Sequence, residues 1–169
     1  MRAFSLEEWQ ALRAFYLRAL KEDPTSSPED YDDMKNMPPE GWKALIEHAL
    51  IDPGSFLGQV SDPLKGTITG LVYMKGRPEY KRSHESDLIM CSFLDSTCTQ
   101  ESQEAILVSV LTHLKESKGL ERVKAAVSSQ DRSMIILFNK IGFRRYGYDE
   151  QYFRLGKKYF DAILMVKQL

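Results

Sequence analysis

Groups that can take or give a proton gather at two places in this chain. His84, Glu85 and Asp87 stand together just before an apolar run from Leu88 to Leu94. An imidazole and two carboxylates in that arrangement could relay a proton through water. They would equally suit a solvated strand edge. Tyr146, Tyr148 and Tyr152 form the second group, just after Gly142-Phe143. A phenol donates a proton or a hydrogen bond, and strand tyrosines also pack as plain aromatics. The two cysteines offer less. Cys91 falls inside the apolar run, where a thiol is ordinarily buried and inert. Cys98 would need a lowered pKa to attack, and no histidine adjoins it. His48 and His113 sit in helical stretches and read as surface or structural residues. The chemistry on offer is proton transfer, and no metal is expected.

Positioning such side chains takes a strand, a loop, a helix and a further strand, and the stretch from Val123 to Gly147 supplies them. Val123 to Val127 is short and β-rich. Asp131 offers a side-chain oxygen where the helix should begin. Met134, Ile135, Leu137, Phe138 and Ile141 recur at helical spacing. Gly142 ends the helix, because glycine takes the left-handed stop without steric cost. Phe143 opens the next strand.

The stretch from Val127 to Gly147 resembles the GCN5-related N-acetyltransferase (GNAT) superfamily, whose pattern runs V-x-x-x-N-x-x-A-x-x-L-Y-x-x-x-G-F-x-x-x-G. Val127, Leu137, Gly142, Phe143 and Gly147 keep that register. Asp131 replaces the Asn, Met134 the Ala and Phe138 the Tyr. The tail up to Leu169 resembles the family's closing hairpin, with Tyr159, Phe160, Asp161 and Met165 in place. The likeness runs over nearly the whole chain and is specific from Leu88 onward. It implies an α/β (α+β) fold with splayed central strands. The sheet would be mixed, mostly antiparallel and six- to seven-stranded, flanked by about four helices.

Length and composition agree with one domain over residues 1–169. A chain of this size buries roughly 70% of its unfolded surface. Its 43% apolar and 28% charged residues are the proportions of a soluble globular protein. A net charge of −1 gives no basic field for nucleic acid. Two cysteines make no disulfide framework. The N-terminus lacks the apolar core of a signal peptide, and no run approaches the ~18 apolar residues of a membrane span. The expected setting is a reducing cytoplasm, without nucleic-acid or membrane partners.

Along the chain, Ser5 and Glu8 frame a capping box, with Phe4 and Trp9 at staple positions. Trp9, Leu12, Tyr16 and Leu20 then form one helical face, ending near Asp23-Pro24. Pro24 to Pro39 is polar and acidic and reads as loop or broken helix. Its Asp30, Asp32 and Asp33 could draw a cationic amine. Pro39 opens a helix that turns Trp42, Leu45, Ile46, Ala49 and Leu50 inward. Ser55 to Val60 and Ile68 to Met74 read as paired strands about a Ser61 to Gly66 turn. Asp87 to Leu94 is the next strand. Ser102 to Lys118 is the next helix, with Ile106, Leu107, Val110, Leu111 and Leu114 on one face.

The resemblance implies acetyl-CoA as co-substrate. Its pantetheine arm would enter between two strands that part after Met90, against the backbone of Ser92, Phe93 and Leu94. Its diphosphate would meet Gln100, Glu101, Ser102, Gln103, Glu104 and Ala105, with Asp131 and Phe138 also against the cofactor. The family's glycines are absent there, and a side chain at Gln103 crowds the approach. Glu101 and Glu104 add the wrong sign. One carboxylate ~5 Å from a phosphate charge costs roughly 3 kcal/mol at an effective dielectric of ~20. The helix end returns only ~0.3–1 kcal/mol.

The resemblance also implies direct attack by an amine in a ternary complex. That needs a base for the ammonium and an acid for the thiolate. Phe138 stands at the family's acid tyrosine, and Ala126 where some members carry a glutamate. Tyr146, Tyr148 and Glu85 are the expected substitutes. The acceptor would be a primary amine of a small molecule, peptide or protein. A homodimer is compatible with the sequence. The alternative is a module of the same fold that binds without catalysing.

Overall fold

The computed structural model describes residues 1–62, 64–94 and 98–169. The expected Ser61 to Gly66 turn includes Pro63, and the connection before the long helix includes Asp95, Ser96 and Thr97. Those four residues lie outside the described ones.

Local capping chemistry sets the element boundaries. Glu8 accepts from the Ser5 N–H at 2.9 Å and from the Arg2 guanidinium at 2.5 Å. The bond from Arg2 does most to pull its carboxyl down to about 2. A short 3₁₀ turn, Leu6–Glu8, leads into α1 (Trp9–Glu22). The acidic segment is not all loop. Asp30 accepts from the N–H groups of Asp32 and Asp33 at 2.8 and 3.3 Å, and this starts α2 (Tyr31–Asn36). Its oxygen thus caps a helix. Pro39 opens α3 (Pro39–Ile51) as expected, but Leu50 is exposed rather than inward.

Strands β1 (Arg2–Ala3), β2 (Phe56–Ser61), β3 (Ile68–Gly76) and β4 (Glu85–Phe93) follow. Strand β4 begins two residues earlier than the apolar pattern suggests, so Glu85 lies inside the sheet. Helix α4 (Gln100–Lys118) also begins two residues early, because the Thr99 hydroxyl accepts from the Ser102 N–H at 3.3 Å. Then come β5 (Arg122–Ser128), α5 (Arg132–Lys140), β6 (Arg144–Leu155) and β7 (Lys158–Gln168). Among the described residues, five α-helices flank seven strands, where about four helices and six to seven strands were expected.

The strand order is β1-β2-β3-β4-β5-β7-β6. Every neighbouring pair is antiparallel except β4 and β5. Side chains alternate across the sheet, so β3 feeds two cores. Leu71 and Tyr73 join Leu12, Tyr16, Trp42 and Ile46 under α1 and α3. Val72 and Met74 join Leu107, Leu114, Leu137 and Phe138 under α4 and α5. No described helix is long and apolar enough to cross a membrane.

Gly142 closes α5 with φ at +91°. A side chain there is strained, and its Cβ would stand 3.0 Å from the Lys167 ammonium, which donates to Ile141 O at 2.5 Å. Gly142→Ala should therefore lower unfolding free energy by roughly 1–2 kcal/mol. A urea titration measures this, and an unchanged midpoint would refute it.

Candidate active site

The centre of the sheet opens. Among the described residues, β4 and β5 pair only over Glu85–Leu88 and Arg122–Ala125. Beyond that, β4 stays with β3 as far as Phe93, and β5 stays with β7 as far as Ser128. The strands therefore part after Leu88, two residues before the expected Met90.

Which backbone groups face the gap follows from alternation along the strand. The Leu94 N–H donates to Thr69 O at 3.0 Å. Ser92 and Leu94 thus turn their polar groups to β3, and only Phe93 of the three expected residues faces the gap. Cys91 faces it too. Its backbone role follows from counting back along the strand from Phe93, and its side-chain type gives no sign of it. The thiol itself is buried and its pKa is pushed well up, first by burial. On the other wall, the Ser129 N–H donates to Asp161 O at 2.8 Å, so Ala126 presents its backbone to the gap.

Two cavities meet at this split. A narrow one of about 30 Å³ passes through the gap, lined by Met90, Cys91, Val127, Asp131, Met134 and Phe138. Residues Asp23, Thr25 and Ser26, just after α1, cover one end of it. A wider one of about 410 Å³ lies on the face that α1 and α3 leave uncovered. Arg77, Arg82, Asp87, Lys124, Tyr146 and Tyr152 line it. Leu88, Ile89, Ala125 and Ala126 belong to both. Asp131 and Phe138 thus border the gap. Asp131 also caps α5, accepting from the Met134 N–H at 3.0 Å. Phe138 is buried and stacks on Phe143 with centroids 4.9 Å apart.

The proposed proton carriers are not gathered together. Tyr146 lines the wide cavity. A bulge separates the pairs Arg145–Met165 and Gly147–Leu164, which turns Tyr146 to that side. Tyr148 pairs with Ile163, whose side chain packs in the α4–α5 core. Its phenol donates to the Asp161 carboxylate at 2.5 Å. That bond lowers the Asp161 pKa. Glu85 is not a solvated edge. It is buried, with Arg122 and His84 on one oxygen and Arg82 and Lys124 on the other. All four partners hold lone pairs that a base would need. Asp87 pairs with Arg77 at 2.5 Å. Tyr152, which the spacing also singled out, lines the wide cavity, and burial followed by the Asp87 and Asp149 charges raises its pKa.

The expected diphosphate loop is already helix. Gln100, Glu101, Ser102, Gln103, Glu104 and Ala105 are the first residues of α4. Thr99 takes the N–H groups of Ser102 and Gln103, which leaves at most those of Gln100 and Glu101 for an anion. The Gln103 amide donates back to Cys98 O at 3.0 Å. Glu104 pairs with Lys140 at 2.9 Å, so the expected double repulsion falls to Glu101 alone. The partnership raises the Lys140 pKa, first through that Glu104 bond. Among the described residues, no group of three His, Cys, Asp or Glu could hold a metal ion.

No protein-family model matches the sequence, and no curated protein matches it. Solved structures do match. A GNAT-family acetyltransferase from Streptococcus pneumoniae superposes with a TM-score of 0.84 at 18% identity, over 99% of this chain and 98% of that one. A ribosomal-protein-alanine N-acetyltransferase from Brucella melitensis gives 0.80 at 18%, over 99% and 98%. The structure of yncA from Salmonella typhimurium, solved with its cofactor acetyl-CoA, gives 0.81 at 15%, over 99% and 92%. At these identities the likeness is one of architecture: the chain has the GNAT acetyltransferase fold.

Proposed function

We propose that this protein is an acetyl-CoA-dependent N-acetyltransferase acting on a primary amine by direct attack. One observation carries the reading: β4 and β5 part after Leu88, leaving backbone polar groups of Cys91, Phe93 and Ala126 along an open slot. Unsatisfied strand edges of that kind are what an amide-bearing pantetheine arm requires. The solved yncA structure, with acetyl-CoA as its cofactor, shares the fold.

The thioester supplies the acetyl group when bound. The amine nitrogen forms the new C–N bond as the C–S bond breaks. The nitrogen gives up two protons, one to a base before attack and one, through an acid, to the thiolate. Tyr146 is the acid in this reading. It sits beside Gly147, whose pair partner Leu164 is also that of Ala126. Asp149, on the rim of the wide cavity, is the base, since Asp87 is committed to Arg77. Glu85 positions the strands and carries no proton.

The test is thermal. Ligand at a hundred times its Kd adds about 2.7 kcal/mol, which raises the Tm of a chain of this size by roughly 5–11 °C. No shift at millimolar acetyl-CoA would overturn the proposal. The second reading, a binding module that does not catalyse, draws on the glycine-free start of α4 and on the Gln103 amide folded across Cys98 O. It predicts binding of an amine ligand with no free thiol released from acetyl-CoA.

A further inference from the structure

The wide cavity has an unusual floor for a site that should receive an ammonium. Arg77, Arg82 and Lys124 line it. They belong to a cluster with Arg122 around Glu85 and Asp87. Leaving the histidine out of the count, four permanent cations (Arg77, Arg82, Arg122 and Lys124) face two carboxylates, an excess of two positive charges. Asp149 on the rim reduces the excess to one. An amine alone would be repelled from this end.

The cluster also holds unused donors. Among the described residues, three buried side-chain polar atoms have no hydrogen-bond partner. Two of them are the Nε atoms of Arg77 and Arg122, both in this cluster. Both Nε atoms are buried, and of the two residues only Arg77 lines the cavity; its guanidinium gives one N–H to Asp87 and has further donors of the kind that meet a carboxylate or phosphate in pairs. Tyr152 lines the same cavity, and its phenol O–H can donate to an anion as well.

The distances suit a small acceptor. Lys124 and Ala126 are two residues apart on β5, about 7 Å at ~3.3 Å per residue. The anion end of the cavity therefore lies within one short molecule of the split where transfer would occur.

Resting on the transferase reading above, we infer that the acceptor is a primary amine carrying an anionic group, carboxylate or phosphate, which docks on Arg77, Arg82 and Lys124. Its amine then points along the strand toward Ala126. Here the cations select the substrate, and the acidic segment around Asp30, Asp32 and Asp33 does not.

Propylamine, β-alanine and O-phosphoethanolamine share an amine on a short chain and differ in the distal group. Calorimetric titration and acetyl-CoA thiol release should each favour at least one anionic compound over propylamine by roughly ten- to a hundredfold, the worth of one charge-assisted hydrogen bond. The better of the two separates carboxylate from phosphate. Lys124→Met and Arg77→Gln should cut the preference below about threefold through KM, and Lys124→Arg should keep most of it. Equal or better binding of propylamine, or no binding of any of the three, overturns the inference. If acetyl-CoA binds and no amine is acetylated, the transferase reading fails. The calorimetric preference then still decides whether the cluster selects anions.

Discussion

Ala126→Trp should abolish acetyl transfer while leaving the fold in place. Ala126 lines both the narrow gap and the wide cavity, so an indole there occupies the point where donor and acceptor meet. Alternation turns its side chain away from Ala125 and Val127, which face the α4–α5 core. The ring therefore projects away from that core, on the side of the wide cavity. Misplacing reacting groups by only ~1 Å costs about 10²-fold. A ring that holds them several ångströms apart should cost at least that, down to the solvent background. Thiol release from acetyl-CoA measures the loss, and a Tm within a few degrees of the parent shows that the fold survives. Ala126→Ser should stay active. Parent-like transfer by the Trp variant would remove this slot as the site of reaction.

Glu85→Gln should be among the most destabilising single changes outside the cores. The carboxylate has 5% exposure and binds Arg82, His84, Arg122 and Lys124. Removing its charge leaves three permanent cations facing one another. Breaking a fully buried pair costs ~3–5 kcal/mol. Here the cations keep contact with solvent, at 25–41% exposure, and screening reduces the loss. About 2–3 kcal/mol is expected on that account, or roughly 5–10 °C in Tm. The loss should be larger at low salt, because repulsion among the cations is then less screened. Calorimetry at two ionic strengths tests both statements. A change below about 0.5 kcal/mol, typical of a surface residue, would show that the cluster does not clamp β4 to β5.

These two residues mark what sequence reasoning missed. Glu85 stood beside His84 and Asp87 and looked like a relay on a wet edge. Its partners Arg122 and Lys124 lie 37 and 39 residues away, and no local pattern announces a contact of that range. Ala126 drew notice only as the absence of a glutamate. Its importance comes from bordering two cavities, which depends on where β4 leaves β5. The diphosphate segment shows the same limit on a smaller scale. Glu101 and Glu104 look alike in sequence, yet Lys140, 36 residues on, neutralises Glu104 alone.

Other features were legible because their causes are local. Gly142 and Asp131 bracket α5 through backbone geometry and one capping oxygen. The apolar stripes of α1, α4 and α5 repeat at helical spacing, and most of those side chains are buried. Proline placed the start of α3. These signals act within one or two helical turns. The amino-acid sequence by itself therefore determined most of the succession of strands and helices, short α2 and β1 excepted, and the family likeness written in it. Only the tertiary structure decided which strand edges stay unpaired, which tyrosine faces the cavity and which carboxylate is spent on cations. Each of these depends on chain segments brought together across the sheet, and pairing at such distances is set by the packing of the whole domain.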